Sequence, residues 1–240
     1  MHSTYQIKYL CEKADYYIDS KMFVQAIKCL DQIIKNTTPH PYYYKKNGFC
    51  HRMLKKIDEA IENYNIAIKL DPDDGVTYWE RGACYNDKPY FTELMDKNEK
   101  KHLLEIAKKD YKSSLKRIPT SQEAWLALVE ADLCLFKFDE ALCEYVTCKP
   151  YIHTLEYQLV RSWQGCLALT LSGDSIECND VKILDNNSVR LHWKSWAFFA
   201  IDLLLKELEE NGYNKERLIK AHTYHKKFIE HFDDMPYDKL

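Results

Sequence analysis

The sequence predicts an all-α chain of antiparallel helix pairs set side by side, and three observations carry that expectation. Residue identities recur every 34 positions, apolar residues fall three or four apart within each interval, and turn-forming residues are scarce. Six Gly and seven Pro in 240 residues lie well under the averages of about 7% and 5%, so a β-sandwich or a disordered linker lacks its raw material. With 34 basic against 37 acidic groups and a net charge of −3, the composition suits an ordinary globular chain and argues against a dedicated nucleic-acid binder. The N-terminal MHSTYQIKYLCEKADYYIDS lacks the charged, apolar and small-residue succession of a secretory signal, and the most apolar stretch, Trp196 to Leu205, is broken by Asp202. A cytoplasmic location with no membrane contact is therefore expected. Nine Cys recur about once per helix with no C-x-x-C spacing, the pattern of small buried thiols rather than of a disulfide framework or a zinc site.

The repeat emerges by subtraction. Ala26 and Ala60 are 34 apart, as are Ala107 and Ala141, Gly48 and Gly82, Cys50 and Cys84, and Tyr111 and Tyr145. Across the middle, Ala60 to Ala107, Tyr64 to Tyr111, Pro72 to Pro119 and Tyr78 to Trp125 are each 47 apart, which is one interval plus 13 inserted residues. Because Tyr85 still matches Tyr17 in steps of 34, the insertion lies between Tyr85 and Ala107, at about 87–100. Pro89 is expected to end the preceding helix near Lys88, since proline lacks an amide donor and disfavours helical geometry in the residue before it. Thr92 or Asp96 is expected to cap an unusually long helix after it.

Each interval reads as a helix of about 14 residues, a short turn, a second helix and a proline-marked turn. In the second helix of the second interval, Ile57, Ala60, Ile61, Tyr64, Ala67 and Ile68 share one face, and LDPDDG then closes it. Gly48 and Gly82 fall mid-helix, where glycine costs about 0.5–1 kcal/mol relative to alanine, so close helix packing is expected there.

This pattern resembles the tetratricopeptide repeat, in which large, Leu, Gly, Tyr, Ala, aromatic, Ala and Pro positions recur along 34 residues. The second unit matches at Tyr44, Gly48, Ala60, Tyr64, Ala67 and Pro72, with Asn47 and His51 departing from the pattern. The third matches at Tyr78, Gly82, Tyr85, Ala107, Tyr111 and Pro119, the first at Leu10, Ala14, Tyr17 and Ala26, and the fourth at Trp125, Leu128, Ala141 and Tyr145, with Val129 in place of Gly. The resemblance implies a right-handed solenoid. Residues 1–150 are read as four repeats with the insertion at about 87–100, and residues 151–240 as a degenerate fifth repeat, a loop at 174–187 and C-terminal capping helices. One of these is expected to run from a Ser188 cap to about Glu210, stopped by Gly212, and the last from Asn214 to near Phe232. Such helices would cover an apolar end that stacking otherwise leaves in water.

The resemblance further implies a concave groove lined by the first helix of each pair, holding a segment of a partner protein. In that register the groove carries Lys8, Glu12, Asp15 and Asp19, then Tyr42, Lys45, Lys46, Phe49 and Arg52, then Val76, Trp79 and Glu80, then Glu123, Leu126 and Glu130. From these, Tyr42, Lys45, Lys46, Phe49, Arg52, Trp79, Glu80, Leu126 and Glu130 are the expected partner-binding residues. The stretch PYYYKKNGFCHRMLKK holds five basic residues and no acidic one among aromatics, so an acidic and apolar partner segment is expected. A solvated helix face accounts for the same charge run. Trp79 is expected to be exposed because Tyr78 already fills the packing position beside it. Some relatives clamp a chaperone's terminal carboxylate with Lys and Asn, but Asp15, Phe49, Ala83 and Glu130 stand at the Asn register here, and no such capture is expected.

Signs of chemistry are few. No glycine-rich phosphate loop, G-x-S-x-G elbow or H-E-x-x-H helix occurs. His222 and His225 are three apart, with His231 beyond, but no third ligand accompanies them, so neither metal nor cofactor is expected. The run 97–117, with eight basic and three acidic residues, falls on a second helix and reads as a solvated face. The function expected is therefore a non-catalytic scaffold or adaptor that binds a protein or peptide, with no nucleic acid or membrane partner. The alternative is a regulatory module whose C-terminal helices, around His192 and Trp196, bind a small ligand or make a homodimer.

Overall fold

The computed structural model describes residues 4–92, 95–174, 178–186, 188–191 and 199–232. The chain divides into two compact units, Met1–Pro119 and Thr120–Leu240. The described residues are helical apart from turns, one 3₁₀ turn at Lys149–Tyr151 and a single bridge between Leu191 and Phe232.

The first unit holds three helix pairs: α1 (Thr4–Asp19) with α2 (Phe23–Asn36), α3 (Pro41–Met53) with α4 (Ile57–Leu70), and α5 (Gly75–Phe91) with α6 (Lys97–Arg117). Each pair also packs on the next, α2 against α3 and α4 against α5, so apolar faces that one pair cannot cover are covered by its neighbour. Ala26, Ala60 and Ala107 are fully buried, as the register requires. A Cβ at Gly48 would lie 3.0 Å from the Tyr64 ring, and one at Gly82 would lie 2.7 Å from that of Tyr111. The missing side chain thus makes room for the tyrosine of the partner helix. The first helices of the first, second and fourth units end in a left-handed residue at the same register, Lys21, Lys55 and Phe136, with φ of 57°, 60° and 58°.

The 13 inserted residues divide among three places. α5 has 17 residues where α3 has 13, α6 has 21 where α4 has 14, and the connecting loop is two residues longer. Asp96 caps α6, accepting from the amides of Asn98 at 2.7 Å and Glu99 at 3.0 Å. The expected stop at Lys88 is corrected: α5 runs through Pro89 to Phe91. Pairing along the lengthened α6 holds that last turn in place although proline removes one hydrogen bond.

The second unit comprises α7 (Gln122–Cys134), α8 (Phe138–Cys148), α9 (Leu155–Ser172), α10 (Cys178–Leu184), α11 (Phe199–Glu210) and α12 (Lys215–Ile229). Gly173 closes α9 with φ of 97°, Gly212 follows α11 with φ of 70°, and Asn214 caps α12. Two expectations are corrected here. The stretch read as a loop at 174–187 contains α10, and Ser188 caps no helix, because residues 188–191 are non-helical and Leu191 pairs with Phe232. α12 packs on α9, and α11 packs on both α7 and α12. His192 and Trp196 lie outside the described residues.

Of the eight cysteines described, six are buried and none is bonded to another. Burial pushes the Cys50 and Cys166 thiols up to about 12, which keeps them protonated and inert near neutrality. No described helix is long and apolar enough to cross a membrane.

Candidate partner-binding surface

The basic residues of α3 are not free. Its start is set by Pro41 at the first turn and by His40, whose Nδ1 accepts from the Tyr42 amide at 3.3 Å. The helix then sends its cations to carboxylates on both neighbouring first helices. Lys46 donates to Asp15 of α1, Lys45 to Asp74 at 2.7 Å, and Arg52 to Asp87 of α5 through Nε at 3.0 Å and a terminal nitrogen at 2.8 Å. Arg81 of α5 repeats the motif forward, gripping both oxygens of Asp110 on α6 at 2.7 Å. These bridges tie α1, α3, α5 and α6 in one register and consume the charge that the sequence offered to a ligand.

Asp74 has a second task as the cap of α5, accepting from the Val76 amide at 3.0 Å and the Thr77 hydroxyl at 2.7 Å. Burial works to raise its pKa, but Lys45, Thr77 and the Val76 amide outweigh that and hold the carboxyl below the ordinary range. Glu80 behaves oppositely. Burial pushes its carboxyl up, against the hydroxyl that Tyr64 donates to it and the nearby charges of Arg52 and Lys45.

On this ion-paired floor the expected contact residues separate into two sets. Tyr42 and Val76 occupy equivalent register positions on α3 and α5 and are 40% and 41% exposed, with the Lys46 ammonium 4.8 Å from the Tyr42 ring centroid. Trp79, three residues after Val76 on α5, is half-buried rather than open. Phe49 is also half-buried and packs into the α1–α2 core, its ring edge-on to Phe23 at 6.0 Å. Lys45, Lys46, Arg52 and Glu80 are engaged as described.

In the second unit Leu126 is a correction, since it is 1% exposed and no ligand can reach it. The buried residues of α7, from Ala124 to Cys134, are spread around the helix, with α8, α9 and α11 against it, so the face that stays open on α3 is covered here. Glu130 is half-buried on the same helix, and Glu123 accepts from the Tyr157 hydroxyl at 2.6 Å.

Two further features escape a reading of the sequence. Asp180 on α10 is 2% exposed and accepts from Tyr145 of α8 and, at 2.9 Å, from Ser162 of α9. It fastens α10 to both helices, and nothing in its polar local sequence marks it. Among the C-terminal histidines, His225 bonds Asp202 at 2.7 Å, and His231 places its ring nitrogens 2.8 and 2.9 Å from the carbonyls of Val189 and Leu184. Among the described residues no His, Cys, Asp and Glu group has the arrangement of a metal site.

Comparison with known proteins agrees with this architecture. The tetratricopeptide repeat family model matches residues 41–74, the span of α3 and α4. The TPR repeat-containing protein MJ1428 of Methanocaldococcus jannaschii is 27% identical over 103 residues, covering 39% of this chain and 18% of that protein. The chain thus meets less than a fifth of that relative's length. Among solved structures, TTC0263, a thermophilic TPR protein in Thermus thermophilus, superposes with a TM-score of 0.58 at 13% identity, over 91% of this chain and 98% of that one. MamA superposes with a TM-score of 0.53 at 19% identity, over 60% of this chain and 77% of that one. The 34-residue internal period, the successive helix hairpins and the tyrosines seated on mid-helix glycines accord with these matches: the unit α3–α4 is similar to the tetratricopeptide repeat, and the fold is that of solved TPR proteins.

Proposed function

We propose that the first-helix surface of the N-terminal unit binds a segment of a partner protein and that the chain does no chemistry of its own. The observation that carries this reading is the bridging of α3 to α1 and α5 by Lys46–Asp15, Lys45–Asp74 and Arg52–Asp87. A surface held this way is pre-organised, so a partner meets little ordering cost on docking. Because those charges are neutralised within the chain, the partner is recognised by the apolar band of Tyr42, Val76 and Trp79 more than by acidity. Its binding therefore depends only weakly on salt.

Affinity capture from the source organism, with quantitative mass spectrometry, compares the parent chain with the triple variant Tyr42→Ala, Val76→Asp, Trp79→Ala. Proteins enriched by the parent and lost from a variant that melts normally support the reading. An unchanged set of captured proteins refutes it.

A further inference from the structure

Outside the surface just described, one face of α6 carries a row of exposed cations. Lys101, Lys109, Lys112 and Lys116 are all exposed and fall within one side of the helix at 3.6 residues per turn. From Lys101 to Lys116 the row is about 22 Å long at 1.5 Å per residue. Glu105, Lys108, Lys109, Lys112, Ser113 and Lys116 line a shallow depression of about 420 Å³ along it. Glu105 is the one carboxylate there. Among the described residues no carboxylate is paired with Lys101, Lys109 or Lys116, whereas Lys45, Lys46, Arg52 and Arg81 each have one.

Register sharpens the contrast. The positions of Lys109, Lys112 and Lys116 are held by Glu62, Asn65 and Lys69 on α4 and by Lys28, Asp31 and Lys35 on α2, which are mixed in charge. The part of α6 that exceeds the repeat length adds Lys97, Lys100 and Lys101 at its start. Core packing does not call for the exposed lysines, since the buried residues of α6 are Leu103, Leu104, Ala107, Lys108, Asp110, Tyr111, Ser114 and Leu115, and Lys101, Lys109, Lys112 and Lys116 are not among them.

We infer that this face of α6 is a second docking surface, and that its ligand is a carboxylate-rich segment of a partner protein. Charge complementarity sets the sign of the ligand, and a straight row of lysines suits a helical or extended segment with acidic groups repeated along one side. Carboxylates are favoured over a nucleic-acid strand because the residues lining the depression include no aromatic ring on which a base can stack. The face is separate from the Tyr42–Val76 band, so each surface can be removed without the other.

The test uses the full chain and a fluorescent peptide of about 20 residues rich in Glu, with fluorescence anisotropy read at about 50 mM salt, where screening is modest. Lys101→Glu, Lys109→Glu, Lys116→Glu together are expected to weaken binding by about tenfold or more, as repulsion replaces three attractions. The control Lys69→Glu, Lys206→Glu, Lys226→Glu makes the same change in net charge at other exposed sites and is expected to change affinity by no more than about twofold. The Gln triple at 101, 109 and 116 is expected to fall between, and thermal melting checks that each variant is folded. Equal losses in the two Glu triples, or no loss in the first, overturn the proposal. So does a single-stranded oligouridylate of equal length that binds the parent as tightly as the peptide does. None of these results bears on the Tyr42, Val76, Trp79 variant, whose capture experiment stands apart.

Discussion

Tyr145 lies so close to Gly165 that a Cβ at that glycine would stand 2.3 Å from its ring. In the second and third units the corresponding tyrosines, Tyr64 and Tyr111, sit instead on glycines of their own pair, Gly48 and Gly82. The fourth unit has a buried Val129 at that position, which fills the space, and its tyrosine is received by the following helix α9. Gly165→Ala is therefore expected to lower stability by about 2–3 kcal/mol in urea unfolding. Gly48→Ala should lose less, since its nearest ring atom is 3.0 Å away. Equal losses would show that Tyr145 shifts as readily as Tyr64.

The pair Arg52–Asp87 is mostly shielded, with side-chain exposures of 18% and 10%, whereas Lys88–Asp58 has 25% and 72%. Asp87→Ala leaves the guanidinium without its partner and is expected to destabilise by about 2–4 kcal/mol. Asp58→Ala is expected to change stability by less than about 1 kcal/mol. Urea titrations of both single variants decide the point, and similar values for the two would mean that burial does not separate them.

Two carboxyls in contact with α3 and α4 predict opposite pH behaviour. The folded-state pKa of Glu80 is raised by burial, so its contribution to stability is present below the ordinary glutamate range and is lost as pH rises through the folded value. Glu80→Gln should accordingly gain stability relative to the parent as pH goes from about 4 to 7. The folded-state pKa of Asp74 is depressed despite burial, through Lys45, Thr77 and the Val76 amide. Its contribution is present above the ordinary aspartate range and lost as pH falls through the folded value, so Asp74→Asn should be weaker at neutral pH and flatter in acid. Stability measured across a pH series on both variants checks the two signs.

Lys21 holds a left-handed φ of 57° at an exposed turn, a conformation in which a Cβ costs about 1 kcal/mol or more. Lys21→Gly removes that strain while loosening the unfolded chain, and a net gain of about 0.5 kcal/mol is expected. A loss measured by the same titration would mean that the lysine side chain holds the turn.

Much of the fold is legible because its signals are local. Asp96 as one of two cap candidates, Gly212 as a helix exit, and buried alanines at 26, 60, 107 and 141 all follow from spacing and turn chemistry. Pro89 misleads because the rule it invokes is also local, and tertiary pairing of α5 with a lengthened α6 outweighs it. α10 is seven residues long, too short for a periodic signal, and its attachment rests on Asp180 meeting Tyr145 and Ser162 from other helices.

The surface divides along the same line. Its register, with Tyr42 aligned to Val76 on neighbouring first helices, was already present in the 34-residue period, since equal spacing in stacked hairpins puts equal positions side by side. The state of its charges was not. Lys46 meets Asp15 from 31 positions away, and Arg52 meets Asp87 from 35, while Lys109 and Lys116 of α6 meet no carboxylate among the described residues. Composition counts all of these cations alike. Only the docking of one helix against another settles which are neutralised, because a charge pair depends on a few ångströms of three-dimensional separation and helical periodicity carries no information about that distance.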